Sequence, residues 1–176
     1  MRAFIAIELS DDLKEKIFKL QNKLRDALDG KIKWVEKENF HLTLKFLGDI
    51  KQDKLDELFE KIKKPISKIE SFKIELKNIG FFPNKKFAKV IWIGVSEQGK
   101  SLTTISSCIE QTSEKSDKEF HAHISLGRVK GKIKMGNLNS MNQSLDFCEV
   151  RKVSIIESEI TQTGPIYKTY REIKLK

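Results

Sequence analysis

The segment FHLTLKFLG, residues 40–48, decides the fold, because its first half recurs further along the chain. In it a histidine, His41, is followed by an apolar residue, a hydroxyl residue and a leucine. The segment AHISLGR, residues 122–128, repeats that order from His123, about half a chain length later. A weak internal repeat of this kind predicts two related halves within one chain.

Both copies alternate apolar and polar residues as a β-strand does, and successive side chains of a strand point to opposite faces. We therefore expect His41 to share a face with Thr43, and His123 with Ser125. Polar groups that face a packed core need partners for all their polar atoms, whereas a cleft supplies solvent and substrate. Either histidine alone is best interpreted as a core residue, but the matched pairs predict a cleft that holds two imidazoles and two hydroxyls.

These groups suit the opening of a cyclic phosphodiester. An imidazole with a pKa of about 6.5 takes a proton when neutral and gives one when charged, so two of them supply a base and an acid on opposite sides of phosphorus. The hydroxyls of Thr43 and Ser125 are suited to donate to the non-bridging phosphate oxygens. This chemistry requires neither a metal nor another cofactor.

Outward from the repeat, apolar periodicity predicts an α+β fold. A helix is expected from a Ser10 cap to Gly30, and a turn-rich link at 80–84. The strands do not alternate strictly with helices, which favours antiparallel or mixed sheets over a doubly wound parallel sheet. The other predicted helices are 52–64, 98–113 and 136–142, and the strands are 2–9, 32–35, 40–47, 70–79, 88–95, 122–129, 145–150, 152–160 and 166–174.

Composition narrows the class of partner and the compartment. The chain has 34 Lys and Arg residues against 25 Asp and Glu, a net charge of +9, which favours an anionic partner such as nucleic acid over lysines that merely solvate a surface. Its two cysteines, Cys108 and Cys148, are too few for a disulfide framework. No signal peptide or apolar run of about 18 residues is apparent, so we expect a cytoplasmic protein without membrane contact.

Several segments together resemble the two-histidine phosphoesterase superfamily, and within it the bacterial and archaeal RNA 2′,3′-cyclic phosphodiesterases, also called 2′-5′ RNA ligases. The two histidine motifs match that family closely, although Ser125 stands where threonine is commoner. The resemblance covers nearly the whole chain. Its further landmarks are FIAIE at 4–8, WV at 34–35, GFFP at 80–83 and VIWIG at 90–94.

The resemblance implies one domain, 1–176, with two similar lobes related by pseudo-two-fold symmetry. Each lobe would be an antiparallel sheet backed by helices, with a cleft between them. It implies hydrolysis of a terminal 2′,3′-cyclic phosphate on RNA to a 2′-phosphate, with His41 as proton donor and His123 as proton acceptor. The expected partner is an RNA end, such as a tRNA half, and the expected state is a monomer with no obligate protein partner and no cofactor.

Two other functions fit the same sequence. A 2′-5′ RNA ligase acting on tRNA-like ends would use the same site in reverse. A basic RNA-binding module would carry the histidines without using them, and would keep its function when both imidazoles are removed.

Candidate substrate contacts surround the motifs. Arg128 suits bidentate phosphate binding, with a surface arginine at a strand end as the alternative. It lies five residues after His123 and would need a twist of the strand, or a bend at Gly127, to reach the same face. Lys45, four residues after His41, is predicted on the face of the first motif and is a second phosphate-binding candidate.

Other residues near the motifs have simpler interpretations. His121 is interpreted as a wall or surface residue, since no further ligands accompany it to make a metal site. Phe46 and Phe87 are interpreted as core residues, with stacking on a base as the alternative.

Overall fold

The structure is a computed structural model that describes residues 1–114 and 119–176. These residues form α-helices and β-strands that all pair in antiparallel fashion. The helices are α1 (Asp11–Ala27), α2 (Gln52–Ile66) and α3 (Ser101–Thr112). The strands are β1 (Arg2–Glu8), β2 (Leu28–Trp34), β3 (His41–Asp49), β4 (Phe72–Phe82), β5 (Val90–Glu97), β6 (His123–Met135), β7 (Ser144–Val150), β8 (Lys152–Ile160) and β9 (Pro165–Lys174).

The described strands form two sheets, which confirms the predicted α+β class. Sheet A has the order β3-β1-β8-β9, and sheet B has the order β2-β6-β5-β4-β7. Helix α1 contacts β2 and β7 of sheet B, whereas α2 and α3 contact β9 and β3 of sheet A. Each sheet is therefore backed by helices, as expected. Each sheet also takes strands from early and late in the chain, so the lobes are interleaved rather than being the two halves of the sequence.

Apolar side chains of both sheets and all three helices form one continuous buried cluster. Alternation places Leu42 and Leu44 of β3 and Ile124 and Leu126 of β6 in that cluster, all at 6% exposure or less. The opposite faces of the same strands carry the motif histidines and hydroxyls. Burial of the apolar residues therefore fixes which way each motif points.

The end of the first helix differs from the prediction. Helix α1 stops at Ala27, and Leu28 begins β2 by pairing with Met135 of β6. Gly30 is not a helix cap but lies inside β2 with φ of +144°, next to a register shift. A buried Leu28 thus gains both a strand partner and a place in the core, which outweighs the local helical spacing.

Two more segments differ from the sequence-based expectation. The predicted link at 80–84 is mostly strand, because β4 continues through Phe82 against β5. Gly80 permits this pairing, since a Cβ there would lie 2.0 Å from the ring of Trp92, which crosses over it. The predicted helix at 136–142 is only a 3₁₀ turn at Asn139–Met141, consistent with the preference of Gly, Asn and Ser for turns.

No helix in the described part of the chain has the length and hydropathy needed to cross a membrane.

Candidate active site

The two motif strands meet across the boundary between the sheets. Strands β3 and β6 belong to different sheets but contact each other directly. Burial lowers the pKa of His41, and the charge of His123 adds to this lowering. The structure therefore brings together the two histidines that the sequence paired.

Each motif histidine has the same backbone contact. Nδ1 of His41 lies 2.7 Å from the carbonyl oxygen of Asn39, and Nδ1 of His123 lies 2.6 Å from the carbonyl oxygen of His121. A carbonyl can only accept, so Nδ1 donates in both rings and the neutral tautomer carries its lone pair on Nε2. Nε2 is then the nitrogen that exchanges protons with a substrate. In the first motif it lies 2.9 Å from the hydroxyl oxygen of Thr43.

Aromatic rings hold each imidazole in place. The ring of His41 packs on Phe4 at 4.8 Å between centroids and meets the edge of Tyr167 at 5.3 Å. Phe4 and Tyr167 belong to a small apolar cluster on the cleft face of sheet A. The alternation of residues 4–8 places Phe4 on that face, but the approach of Tyr167 from β9 had no signal in the sequence.

A similar wall surrounds His123. Its ring meets Phe82 at 5.0 Å and lies 6.1 Å from Trp92, measured between centroids. His121 packs against both of these rings and thus forms part of the wall, as predicted. Within the described residues no group of His, Cys, Asp or Glu side chains has the arrangement of a metal site.

Burial shifts the pKa values of both imidazoles in the same direction. Burial lowers the pKa of His41, while the Asn39 carbonyl opposes this shift and the nearby Lys14 ammonium adds to it. Burial also lowers the pKa of His123, against the opposing effect of its bond to the His121 carbonyl. Both rings are therefore mostly neutral near pH 7 in the unliganded protein.

A β-bulge follows the second motif. Ser125 pairs with Trp92 of β5, but the next pair joins Gly127 to Ile91, so Leu126 is an extra residue in β6. Both Leu126 and Gly127 are buried. The bulge therefore turns two consecutive residues towards the core and shifts the alternation of the rest of the strand.

The bulge brings Arg128 onto the cleft face. Arg128 pairs with Val90, which lies on the same face of β5 as Trp92 and therefore on the side of His123. The bulge at Leu126, next to Gly127, thus supplies the change of direction that Arg128 needs to reach this face. Burial raises the pKa of the Tyr167 phenol, and the positive charge of Arg128 acts against this shift from the opposite lobe. Arg128 therefore lies on the face of sheet B that carries His123.

A bulge also follows the first motif, at the matching position. Thr43 pairs with Ala6 of β1, and Lys45 pairs with Ile5, so Leu44 is the extra residue. Ile5 is fully buried on the helix side of sheet A, whereas Ala6 lies in the cluster on the cleft face. The residue after Leu44 therefore points away from the cleft.

The face predicted for Lys45 is consequently wrong. Its ammonium lies 2.6 Å from a carboxylate oxygen of Glu110 in α3 and 2.6 Å from the carbonyl oxygen of Glu114. Its phosphate-binding role stays a prediction that this position does not support. Phe46 takes the cleft face instead, pairing with Phe4 at 6.0 Å between ring centroids. At 68% exposure Phe46 is not the predicted core residue, and Phe87 is likewise exposed, at 64%.

A buried glutamine supports the second bulge. Gln21 of α1 is fully buried, and its Nε2 donates to the carbonyl oxygens of Val35 at 2.8 Å and Leu126 at 2.9 Å. The backbone N–H of Val35 donates to the same Leu126 carbonyl at 2.9 Å. The extra residue of β6 is thus held from two directions. Gln21 is a polar residue within the apolar stripe of α1. This interruption is the signal in the sequence from which its contact with the bulge could have been suspected.

The sequence and the fold are similar to those of known proteins. Residues 7–92 match the family model described as LigT-like phosphoesterase. A protein named RNA 2′,3′-cyclic phosphodiesterase from Methanocaldococcus jannaschii is 35% identical, with 98% of this chain and 99% of the relative covered. A protein of the same name from Methanothermobacter thermautotrophicus is 31% identical, with 99% of each chain covered. The crystal structure of E. coli LigT complexed with 3′-AMP superposes with a TM-score of 0.78 at 22% identity, covering 99% of this chain and 97% of that one.

Proposed function

The chain belongs to the LigT-like, two-histidine phosphoesterase family, and from this premise we propose that it hydrolyses the 2′,3′-cyclic phosphate at the end of an RNA to a 2′-phosphate. The observation that carries the proposal is the shared geometry of His41 and His123. In each ring Nδ1–H donates a hydrogen bond to the carbonyl oxygen two residues earlier. This leaves Nε2 as the nitrogen that transfers protons. Relatives of that name, similar over their whole length, support the same activity.

In the proposed reaction one histidine acts on each side of the phosphorus. Nε2 of neutral His123 takes a proton from water as the water oxygen bonds to phosphorus. The bond between phosphorus and the 3′-oxygen breaks, and that oxygen takes the Nε2 proton of charged His41. The product carries a 2′-phosphate and a free 3′-hydroxyl, and the histidines end in exchanged protonation states. Proton transfer from a positioned side chain contributes about 10²–10⁴-fold in rate.

The neighbouring groups suit the anionic phosphate. The hydroxyls of Thr43 and Ser125 lie on the histidine faces of their strands, which supports a role as donors to the non-bridging oxygens. The Thr43 hydroxyl is available for this role when His41 is charged, because a protonated Nε2 no longer accepts its hydrogen bond. The Arg128 guanidinium, which the bulge turns towards the cleft, supplies fixed positive charge and paired donors. The exposed ring of Phe46 on the same side as His41 offers a surface for stacking the terminal base.

The test uses a short RNA that ends in a 2′,3′-cyclic phosphate, with a chelator present. The wild type is expected to produce a 2′-phosphate, and His41→Ala and His123→Ala are each expected to lose about 100-fold or more in kcat while still binding RNA. His121→Ala is the matched control, because it keeps the backbone carbonyl that accepts from His123. It removes one ring from the wall around His123 but neither proposed proton-transfer group, so it should lose much less activity than His41→Ala or His123→Ala.

Other results would identify the alternatives. RNA that is bound but remains cyclic, equally with the wild type and both variants, contradicts the proposal and favours a binding module. A 2′-5′ joined product, formed when RNA with a 5′-hydroxyl is added, indicates the ligase reaction at the same site.

A further inference from the structure

The proposed reaction assigns no part of the substrate to a cavity that lies beside His41. Its volume is about 430 Å³, within the range of about 300–1,000 Å³ that small-ligand sites occupy. It lies between the start of β3, the first turn of α1 and the start of β9. His41 forms one wall, Lys14 and Asn39 lie near its polar side, and Ile166 and Tyr167 line its apolar side.

Lys14 is the one cation that lines the cavity within the described residues. Its ammonium donates to the carbonyl oxygen of Glu38 at 2.8 Å, which uses one of its three hydrogens. Lys14 and His41 line the same cavity, and the charge of Lys14 adds to the lowering of the His41 pKa that burial causes. Lys14 therefore has donors left for an anion that would sit next to the phosphate being hydrolysed.

The carboxylates of the cavity are compatible with such an anion. Glu8 already accepts hydrogen bonds from Ser154 at 2.6 Å and Thr169 at 3.2 Å, and it lies 3.6 Å from the ammonium of Lys152. Its charge is thus compensated within the protein. Glu38 is exposed at the rim, where its carboxylate suits the hydroxyl and amino donors of a nucleoside.

The apolar side is open. Ile166 is 56% exposed although it lines the cavity, and Pro165 next to it is held by the Asn39 amide, which donates to its carbonyl at 3.1 Å. An isoleucine held in this way presents a fixed apolar surface. Such a surface suits the face of a nucleobase.

The direction of the substrate follows from the proposed chemistry. If His41 protonates the 3′-oxygen, the ribose lies in the lobe of His41. Within the ribose, the base is attached beside C2′ and the chain to the preceding phosphate leaves beside C3′. The preceding phosphate is therefore the one nearest the 3′-oxygen and His41. Along β3, Phe46 lies on one side of His41 and the cavity lies on the other.

We propose that this cavity binds the nucleotide that precedes the cyclic-phosphate end, with Lys14 on the connecting phosphodiester and Ile166 against the preceding base. The protein then acts on RNA ends in preference to single cyclic nucleotides. The inference rests on the proposed function and adds a second binding site for the same substrate.

The experiment compares kcat/KM for three substrates: adenosine 2′,3′-cyclic phosphate, the same compound with a 5′-phosphate, and the dinucleotide that adds a preceding adenosine. The wild type is expected to prefer the second compound to the first, and the third to the second. Ratios between substrates are compared within each variant, so that any effect of Lys14 on His41 itself cancels.

The variants separate the two contacts. Lys14→Gln is expected to reduce the preference for the 5′-phosphate by about tenfold, the loss of one charged hydrogen bond. Ile166→Ala is expected to reduce only the preference for the preceding adenosine. The controls are Lys16→Gln on the same helix, whose ammonium binds Asp146, and Ile160→Ala, which is similarly exposed outside the cavity. Both should keep the wild-type ratios.

The outcomes distinguish the inference from its premise. Equal kcat/KM for all three substrates in the wild type, or ratios unchanged by Lys14→Gln, overturns the second site and leaves the proposed function standing. A wild type that opens none of the three overturns the proposed function, and the inference with it.

Discussion

At the residue scale, the two motif histidines share one geometry but need opposite protonation states in the proposed reaction. His41 must be charged to protonate the leaving oxygen, and His123 must be neutral to accept a proton from water. Their local contacts do not separate these roles, since each ring gives Nδ1–H to a carbonyl two residues earlier. The assignment of His41 as donor and His123 as acceptor therefore stays part of the proposal.

The pH dependence follows from the direction of their pKa shifts. The acidic limb of kcat/KM reports protonation of His123, and the alkaline limb reports deprotonation of His41. Burial lowers the pKa of both rings, so both limbs move to lower pH and the maximum is expected below about pH 6.5. The measurement is kcat/KM across the range at constant ionic strength. Because the two imidazoles interact, the apparent pKa of each limb is a property of the pair, although the acidic limb still reflects loss of the neutral base and the alkaline limb loss of the charged acid.

A maximum above about pH 7 would contradict this expectation, because it requires at least one imidazole whose pKa is raised in the free protein. Repeating the profile with kcat alone shows the effect of bound substrate. An anionic phosphate between the rings favours their charged forms, so the kcat maximum is expected at higher pH than that of kcat/KM.

At the element scale, the matching bulges in β3 and β6 decide which side chains face the cleft. In each bulge the last leucine of the motif is the extra residue, and the alternation is reversed beyond it. Arg128 and Phe46 thereby lie on the cleft face, whereas Lys45 turns towards α3. Regular alternation without a bulge, which the sequence-based predictions assume, would place Arg128 and Phe46 on the core face and Lys45 on the cleft face.

Paired substitutions test the consequence of the bulges. Arg128→Ala is expected to lower kcat/KM by about tenfold or more, because it removes a charged donor from the phosphate site. Lys45→Gln is expected to change kcat/KM less than about twofold, since the ammonium it removes binds Glu110 outside the cleft. Steady-state kinetics on the cyclic-phosphate RNA measure both, and thermal unfolding reports whether each variant is folded.

A third variant, Arg128→Lys, is a control for charge. Arg128→Lys keeps the positive charge but loses the fork of donors, so it should recover only part of the activity. A larger loss with Lys45→Gln than with Arg128→Ala, in folded variants, would show that the faces are assigned wrongly.

At the scale of the whole molecule, the net charge of +9 attracts the phosphates of an RNA that binds to the protein. Interactions of this kind weaken with salt, because binding releases counterions from the nucleic acid. If three phosphates of a single strand are neutralised, binding falls by roughly twentyfold between about 50 and about 200 mM salt.

The salt dependence of kcat/KM measures this contribution. A short RNA with a cyclic-phosphate end is expected to lose far more activity with salt than adenosine 2′,3′-cyclic phosphate, which carries one phosphate. Equal salt dependence for both substrates would show that the lysine-rich surface contributes solubility rather than RNA binding.

The interleaving of the lobes is also a property of the whole molecule. Strands β8 and β9, from the end of the chain, complete sheet A beside β1, and β2 joins sheet B from the other direction. This arrangement brings Tyr167 onto His41 and lets the charge of Arg128 reach Tyr167. Residues from distant parts of the chain thus contribute to the surroundings of His41.

By itself the sequence determined the α+β class, most strand positions and the pairing of His41 with His123, because apolar alternation and the repeated motif are local patterns. Only the tertiary structure decided the end of α1, the length of β4 and the faces of Lys45, Phe46 and Arg128. These depend on partners distant in the chain: Leu28 pairs with β6, Gly80 receives the ring of Trp92, and Gln21 holds the carbonyl of Leu126. A strand's register is set by the neighbour it pairs with, so a bulge is not encoded by the strand that contains it alone.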